Sequence, residues 1–215
     1  MKKPKNIIFD CDGVLVDSEI IANRIEVEVK NELGFPITLE EQISKFVGHG
    51  MTTSVMQEEL SRLPESYNSI VDERCKIAYL QELKSIQGVT EVLQSLAHPK
   101  CVASSSRSDW LDYKLTLTDL KPFFKNSVFS GDMVKKCKPA PDLFLYAIET
   151  MGWSASDCLV IEDSVAGVTA AKAAGILTCG FIGGSHIFPG HSEKLLAAGA
   201  DYIIKDITMV INLLE

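Results

Sequence analysis

The sequence contains no Cys-x-x-Cys pair: Cys11, Cys75, Cys101, Cys137, Cys158 and Cys179 are scattered, several of them inside apolar runs. That spacing argues against a zinc site and a disulfide framework, since isolated thiols of this kind pack as small hydrophobes in a reducing compartment. Clusters of Lys and Arg are missing too. With 21 basic against 29 acidic residues and a net charge of −8, the chain offers no basic footprint for a nucleic-acid backbone. Long apolar runs are likewise lacking. Lys2, Lys3, Pro4 and Lys5 precede only Ile7-Ile8-Phe9 before acids intervene, which fits neither a secretory signal nor a membrane span. The expectation is a cytoplasmic protein with no membrane partner. No internal repeat or low-complexity linker points to a solenoid or a tethered array.

What is present fits a folded globular protein. The 215 residues are 46% apolar and 23% charged, enough for a real core, in one generous domain or a domain with an inserted subdomain. Ile7-Ile8-Phe9 reads as a buried strand that ends in Asp10, Asp12 and Gly13. From Ser18 to about Leu83 the texture is helical: Ile21, Ile25, Val29 and Leu33 share one face until Gly34, and further helices are expected near Met51–Leu63 and Ile70–Leu83. No strong strand signal falls in that block.

After Gly88 strands and helices alternate. A helix near Val89–Leu96 leads to strand Cys101–Ala103, then a helix over Trp110–Leu120 and strand Ser127–Phe129. A helix at Leu143–Met151 precedes strand Leu159–Ile161, an Ala-rich helix at Val165–Ala174, strand Leu177–Ile182 and strand Tyr202–Ile204. Alternation at this spacing means a parallel sheet covered on both faces. The predicted fold class is therefore α/β, a doubly wound parallel sheet with an inserted α-helical cap: residues 1–17 and 88–215 form the core, and 18–87 the cap.

In such sheets ligands bind beyond the carboxyl ends of the strands. Those ends carry Asp10 and Asp12, then Ser104-Ser105-Ser106, then Glu162-Asp163-Ser164, with Lys138 just before a helix. Acids gathered at one end repel one another unless a cation sits between them, and oxygen ligands suit Mg²⁺. A lysine and serine hydroxyls beside them suit a phosphate. In isolation Ser104 reads as a turn or cap residue, and Lys138 as a surface lysine beside Lys135 and Lys136. Glu162-Asp163 ahead of the Ala-rich helix also reads as a helix cap.

Taken together these motifs resemble the haloacid dehalogenase-like hydrolase superfamily, in its β-phosphoglucomutase-like group. Asp10-Cys11-Asp12-Gly13-Val14-Leu15-Val16-Asp17-Ser18 matches the first motif, Ser104 the second, Lys138 in Lys-Pro-Ala-Pro-Asp the third, and Glu162-Asp163 the fourth. The resemblance covers nearly the whole chain and implies a Rossmann-like core. It implies Asp10 as nucleophile and Asp12 as general acid and base, with Ser104 and Lys138 completing the catalytic set. Mg²⁺ would be bound by the Asp10 side chain, the Asp12 main-chain carbonyl and Asp163, with Glu162 assisting directly or through water, and the substrate by Gly13, Ser18, Ser105 and the cap residue His49.

The implied reaction is phosphatase chemistry on a small phosphorylated metabolite, a sugar phosphate or phosphogluconate, through an aspartyl phosphate. Asp12 argues against dehalogenation, which needs no leaving-group proton. Arg24 and Lys30 are not an evident match for the cap lysine of phosphonate hydrolases. A phosphomutase of the β-phosphoglucomutase type is the rival, but its cap histidine and basic anchors correspond here to Ala22 and to Val47-Gly48-His49-Gly50-Met51. A non-catalytic phosphate-binding module is a third reading, opposed by the retention of both aspartates. His186 and His191, in a Gly/Pro-rich loop, are expected at the surface. The sequence leaves the oligomeric state open, and a monomer is compatible with it.

Overall fold

The computed structural model describes residues 3–46, 58 and 61–214. Among these, six parallel strands form one sheet: β1 (Asn6–Phe9), β2 (Lys100–Ser104), β3 (Val128–Ser130), β4 (Cys158–Glu162), β5 (Leu177–Phe181) and β6 (Tyr202–Ile204), in the order β3-β2-β1-β4-β5-β6. Every residue of β1 and β4 is buried, as central strands covered on both faces require. Ile8 of β1 lies in register with Cys101 on one side and Val160 on the other. The strand order reverses between β1 and β4, and that switch point opens a crevice beyond their carboxyl ends.

Side chains alternate across the sheet and divide the core in two. On one face Ile8, Cys101, Ala103 and Val160 pack with Leu143, Phe144 and Ala147 of α7 (Asp142–Met151) and with Ala170 and Ala171 of α8 (Val165–Ala173). On the other, Ile7, Phe9, Val102, Leu159 and Ile161 pack with α4 (Val89–Ser95) and with Leu111 and Leu115 of α5 (Ser108–Leu117). α6 (Lys121–Phe124) delivers Phe124 edge-on to Phe9. α9 (His191–Ala197) and α10 (Val210–Leu214) complete the layers.

Between β1 and β2 the elements among the described residues are helices, as the texture of residues 21–33 and 70–83 predicts. α1 (Ser18–Glu32) buries Ile21, Ile25 and Val29, and ends before Gly34, whose φ of +85° only glycine adopts freely. α3 (Tyr67–Glu82) packs along α1. The sequence reading did not single out α2 (Leu39–Phe46), although its start carries a recognisable signal. Thr38 and Glu41 form a capping box: Thr38 N donates to Glu41 Oε2 at 2.9 Å, and Glu41 N donates to Thr38 Oγ1 at 3.2 Å. The helix expected at Met51–Leu63 lies mostly outside the described residues, where positions 58 and 61 are helical. The helix expected over Trp110–Leu120 instead starts at Ser108 and stops at Leu117.

Candidate active site

Because β1, β2 and β4 are neighbours, their ends bring groups far apart in sequence to one rim. Asp10 follows β1, Ser104 closes β2, Glu162 closes β4, and Asp163 comes next in the chain. Oxygens of Asp10, Glu162 and Asp163 all lie within 4.8 Å of one another, and all three side chains are buried. Lys138, in the loop before α7, donates from Nζ to Asp10 Oδ1 and to Glu162 Oε2, each at 2.7 Å. Its side chain is 4% exposed, whereas Lys135 and Lys136 lie in solvent. Lys138 is thus a buried member of the cluster and not a surface lysine.

Lys138, even with His186 beside Asp163, does not balance three carboxylates. Burial, reinforced by the Glu162 charge, pushes the Asp10 carboxyl well above its ordinary range against the pull of Lys138. Glu162 is raised by burial, with Lys138 opposing and Asp163 adding to the rise. A hard divalent cation with oxygen ligands would relieve this repulsion, so the donor set fits such an ion.

The Asp12 side chain faces elsewhere. It forms a buried ion pair with Lys114 of α5. Ser18 donates to Oδ1 at 2.5 Å, while Ser106 and Ser104 donate to Oδ2 at 2.7 and 3.2 Å. Burial alone would raise Asp12, but the charge of Lys114 and these donors outweigh it and hold the carboxyl at about 2. Lys114 also donates to Ser106 Oγ at 2.9 Å. Neither Lys114 nor Ser106 was singled out from sequence. Ser106 sat in view beside Ser104, whereas Lys114 is one lysine of a helix and reaches Asp12 only because α5 packs beneath the rim.

Two glycines permit close approach. At Gly13, φ is +73° and an added Cβ would lie 1.9 Å from Asp163 Oδ2; at Gly167 it would lie 1.9 Å from the Glu162 carboxylate carbon. The cap of α8 is Ser164, whose Oγ accepts from Gly167 N at 2.9 Å and donates to Glu162 Oε1 at 2.7 Å. Glu162 Oε1 also accepts from Ser164 N at 3.2 Å, so Glu162 supports the cap residue while Ser164 caps the helix. Ser105 is exposed at the rim, with its hydroxyl 3.1 Å from Cys137 Sγ. His49 lies outside the described residues.

The expectation for the two late histidines is overturned for His186, whereas His191 is half-buried. His186 is 1% exposed, with Nε2 2.9 Å from Asp163 Oδ2, and His191 Nε2 lies 2.5 Å from the Asp163 main-chain oxygen. The Gly/Pro-rich loop after β5 folds inward against Asp163, a tertiary placement that its composition does not encode. Glu19 on α1 was also missed. Burial, then the nearby Asp12 charge, raises its carboxyl to about 7 against the opposing charge of His186.

A doubly wound sheet with this cluster at its switch point defines a class of hydrolase, and residues 7–181 match the haloacid dehalogenase-like hydrolases. The chain belongs to that family and is a phosphoric monoester hydrolase within it. It is similar to the 6-phosphogluconate phosphatase of Escherichia coli (strain K12), 28% identical over 208 residues that cover 88% of this chain and 87% of that protein. It is also similar to the phosphorylated carbohydrates phosphatase of Thermotoga maritima, 31% identical over 206 residues and 93% of each chain. A solved haloacid dehalogenase-like protein from Agrobacterium tumefaciens superposes with a TM-score of 0.87 at 37% identity, covering 98% of this chain and 97% of that one.

Proposed function

We propose that the protein is a Mg²⁺-dependent phosphatase of a small sugar phosphate or phosphogluconate, working in the cytoplasm through an aspartyl phosphate on Asp10. The observation that carries this reading is the Lys138 bridge, which holds Asp10 beside Glu162 and Asp163 with one Oδ1 hydrogen bond. An Asp10 oxygen attacks phosphorus in line as the ester P–O bond breaks. Asp12 gives a proton to the leaving oxygen, then takes one from the water that cleaves the phospho-aspartate and frees inorganic phosphate. Lys138 and the Ser104 hydroxyl hold the phosphoryl oxygens. Gly13, Ser18 and Ser105 border the substrate. Mg²⁺ held by the Asp10, Glu162 and Asp163 carboxylates and the Asp12 carbonyl would offset the charge of carboxylate and phosphate as they meet.

Proton delivery requires Asp12 to leave the donors that keep it ionised and take up a proton from solvent before the leaving oxygen receives it. Ser18, one of those donors, is the first residue of α1, so a shift of that helix start would release Asp12. In the 18–87 segment each of the three arginines is already paired with a glutamate: Arg24 with Glu82, Arg62 with Glu58, and Arg74 with Glu32. Lys30 is buried on Gln42. These pairings occupy every arginine of the segment, the cation best suited to grip a second phosphate, which supports hydrolysis over a mutase reaction. No described helix is long and apolar enough to cross a membrane.

The test is release of inorganic phosphate from a panel of sugar phosphates, phosphogluconate, glycerol phosphates and nucleotides with Mg²⁺. Turnover on none of them would reject the reading. Conversion of β-glucose 1-phosphate, primed with the 1,6-bisphosphate, into glucose 6-phosphate with little free phosphate would favour the mutase.

A further inference from the structure

Lys138 fixes two of the three clustered carboxylates, Asp10 and Glu162. Asp163 is supported from another direction, by two histidines of the segment that follows β5. His191, the first residue of α9, places Nε2 2.5 Å from the Asp163 main-chain oxygen. A carbonyl oxygen only accepts, so the proton resides on that nitrogen. His186 places Nε2 2.9 Å from Asp163 Oδ2, with 1% of its side chain exposed. Its ring is wedged beneath two glycines: an added Cβ would lie 2.6 Å from Cε1 at Gly13 and 2.7 Å from it at Gly184. Within the described residues neither ring nitrogen of His186 has an aligned hydrogen bond. A buried imidazole in that state is costly, and a small turn of the Asp163 carboxylate would align the pair.

We propose that His186 and His191 are positioning residues for Asp163: His191 pins its main chain, and His186 sets the direction in which its carboxylate faces the Asp10 and Glu162 oxygens. The inference rests on the reading of that cluster as a divalent-cation site. Ligating carboxylates depend on outer partners for orientation, and the loss of such a partner weakens metal binding. Ordering here comes from packing: Gly13 and Gly184 leave room for the ring, and the turn into α9 returns the second histidine to the same residue. No chemistry at phosphorus is assigned to either histidine.

The experiment measures Mn²⁺ binding to the full chain by electron paramagnetic resonance, without substrate, for wild type, His186→Leu, His186→Gln, His191→Phe and Leu195→Ala. Leu195 is buried on α9 within a separate apolar cluster and controls for simple loosening of the region. His186→Leu and His191→Phe should each weaken Mn²⁺ by about 10- to 100-fold, while His186→Gln, which keeps a donor, stays within about three-fold of wild type. Leu195→Ala should lower thermal stability and leave Mn²⁺ affinity in place. Should His186→Leu not fold, His186→Asn, too short to reach the carboxylate, decides in its stead. Wild-type affinity in the histidine variants, or equal weakening in Leu195→Ala, overturns the inference. Failure of the wild type itself to bind Mn²⁺ would instead overturn the cation-site reading.

Discussion

Lys138 Nζ stands 2.7 Å from Asp10 Oδ1 and 2.7 Å from Glu162 Oε2, one ammonium joining the ends of two adjacent strands. Both carboxyls are buried and raised by burial against the pull of Lys138, so removing the lysine leaves buried acids that repel each other and Asp163 or must take up protons. Lys138→Met should lower stability by about 3–5 kcal/mol. Urea unfolding in the absence of divalent cations measures it, and a loss near zero would mean that the bridge contributes little.

Asp10→Asn is nearly isosteric but carries a poor nucleophile. Its kcat should fall by more than about 10³-fold with the thermal transition preserved, since loss of a covalent nucleophile typically costs at least that much. Phosphate release at a few per cent of the wild-type rate, with deamidation excluded by mass spectrometry, would reject the covalent route.

Chelation by EDTA should silence phosphate release, and added Mg²⁺ should restore it, because the crowded carboxylates otherwise repel an anionic substrate. Excess Ca²⁺ should inhibit, since a larger ion with looser coordination misplaces the Asp10 oxygen. Undiminished turnover in chelator would show that the cluster serves another purpose.

Glu19 provides a pH test. Burial raises its carboxyl from an ordinary value of 4.5 to about 7, so between these limits the folded state holds a proton that the unfolded chain has released. Stability from this residue therefore falls as pH rises from 4.5 to about 7 and is level outside that window. Glu19→Gln should remove that part of the slope. Denaturation of both proteins at pH 5 and pH 7.5 without divalent cations gives the comparison, and parallel slopes would refute the assignment.

Much of the frame was readable because it rests on local rules. The four-residue recurrence of Ile21, Ile25 and Val29 announced α1, and the apolar run before Asp10 announced a central strand. Tyr202–Ile204 is a strand at the expected residues. What escaped was short or lay in the loops: α2 is brief despite its Thr38–Glu41 capping box, and α9 and α10 carry too few residues for a periodicity to emerge.

The sequence alone determined the class of fold and the core acids, since strand-end motifs in order along the chain imply a common rim once the sheet is parallel. The family motif already pointed to Lys138; the tertiary structure added that its side chain is buried at that rim while Lys135 and Lys136 are exposed, and decided which cation faces Asp12, namely Lys114. It also turned His186 and His191 inward against Asp163. These pairings depend on burial and on contacts between distant segments. A buried lysine and a solvated one have the same letter, and only the packing of α5, α7 and the loop after β5 against the sheet distinguishes them.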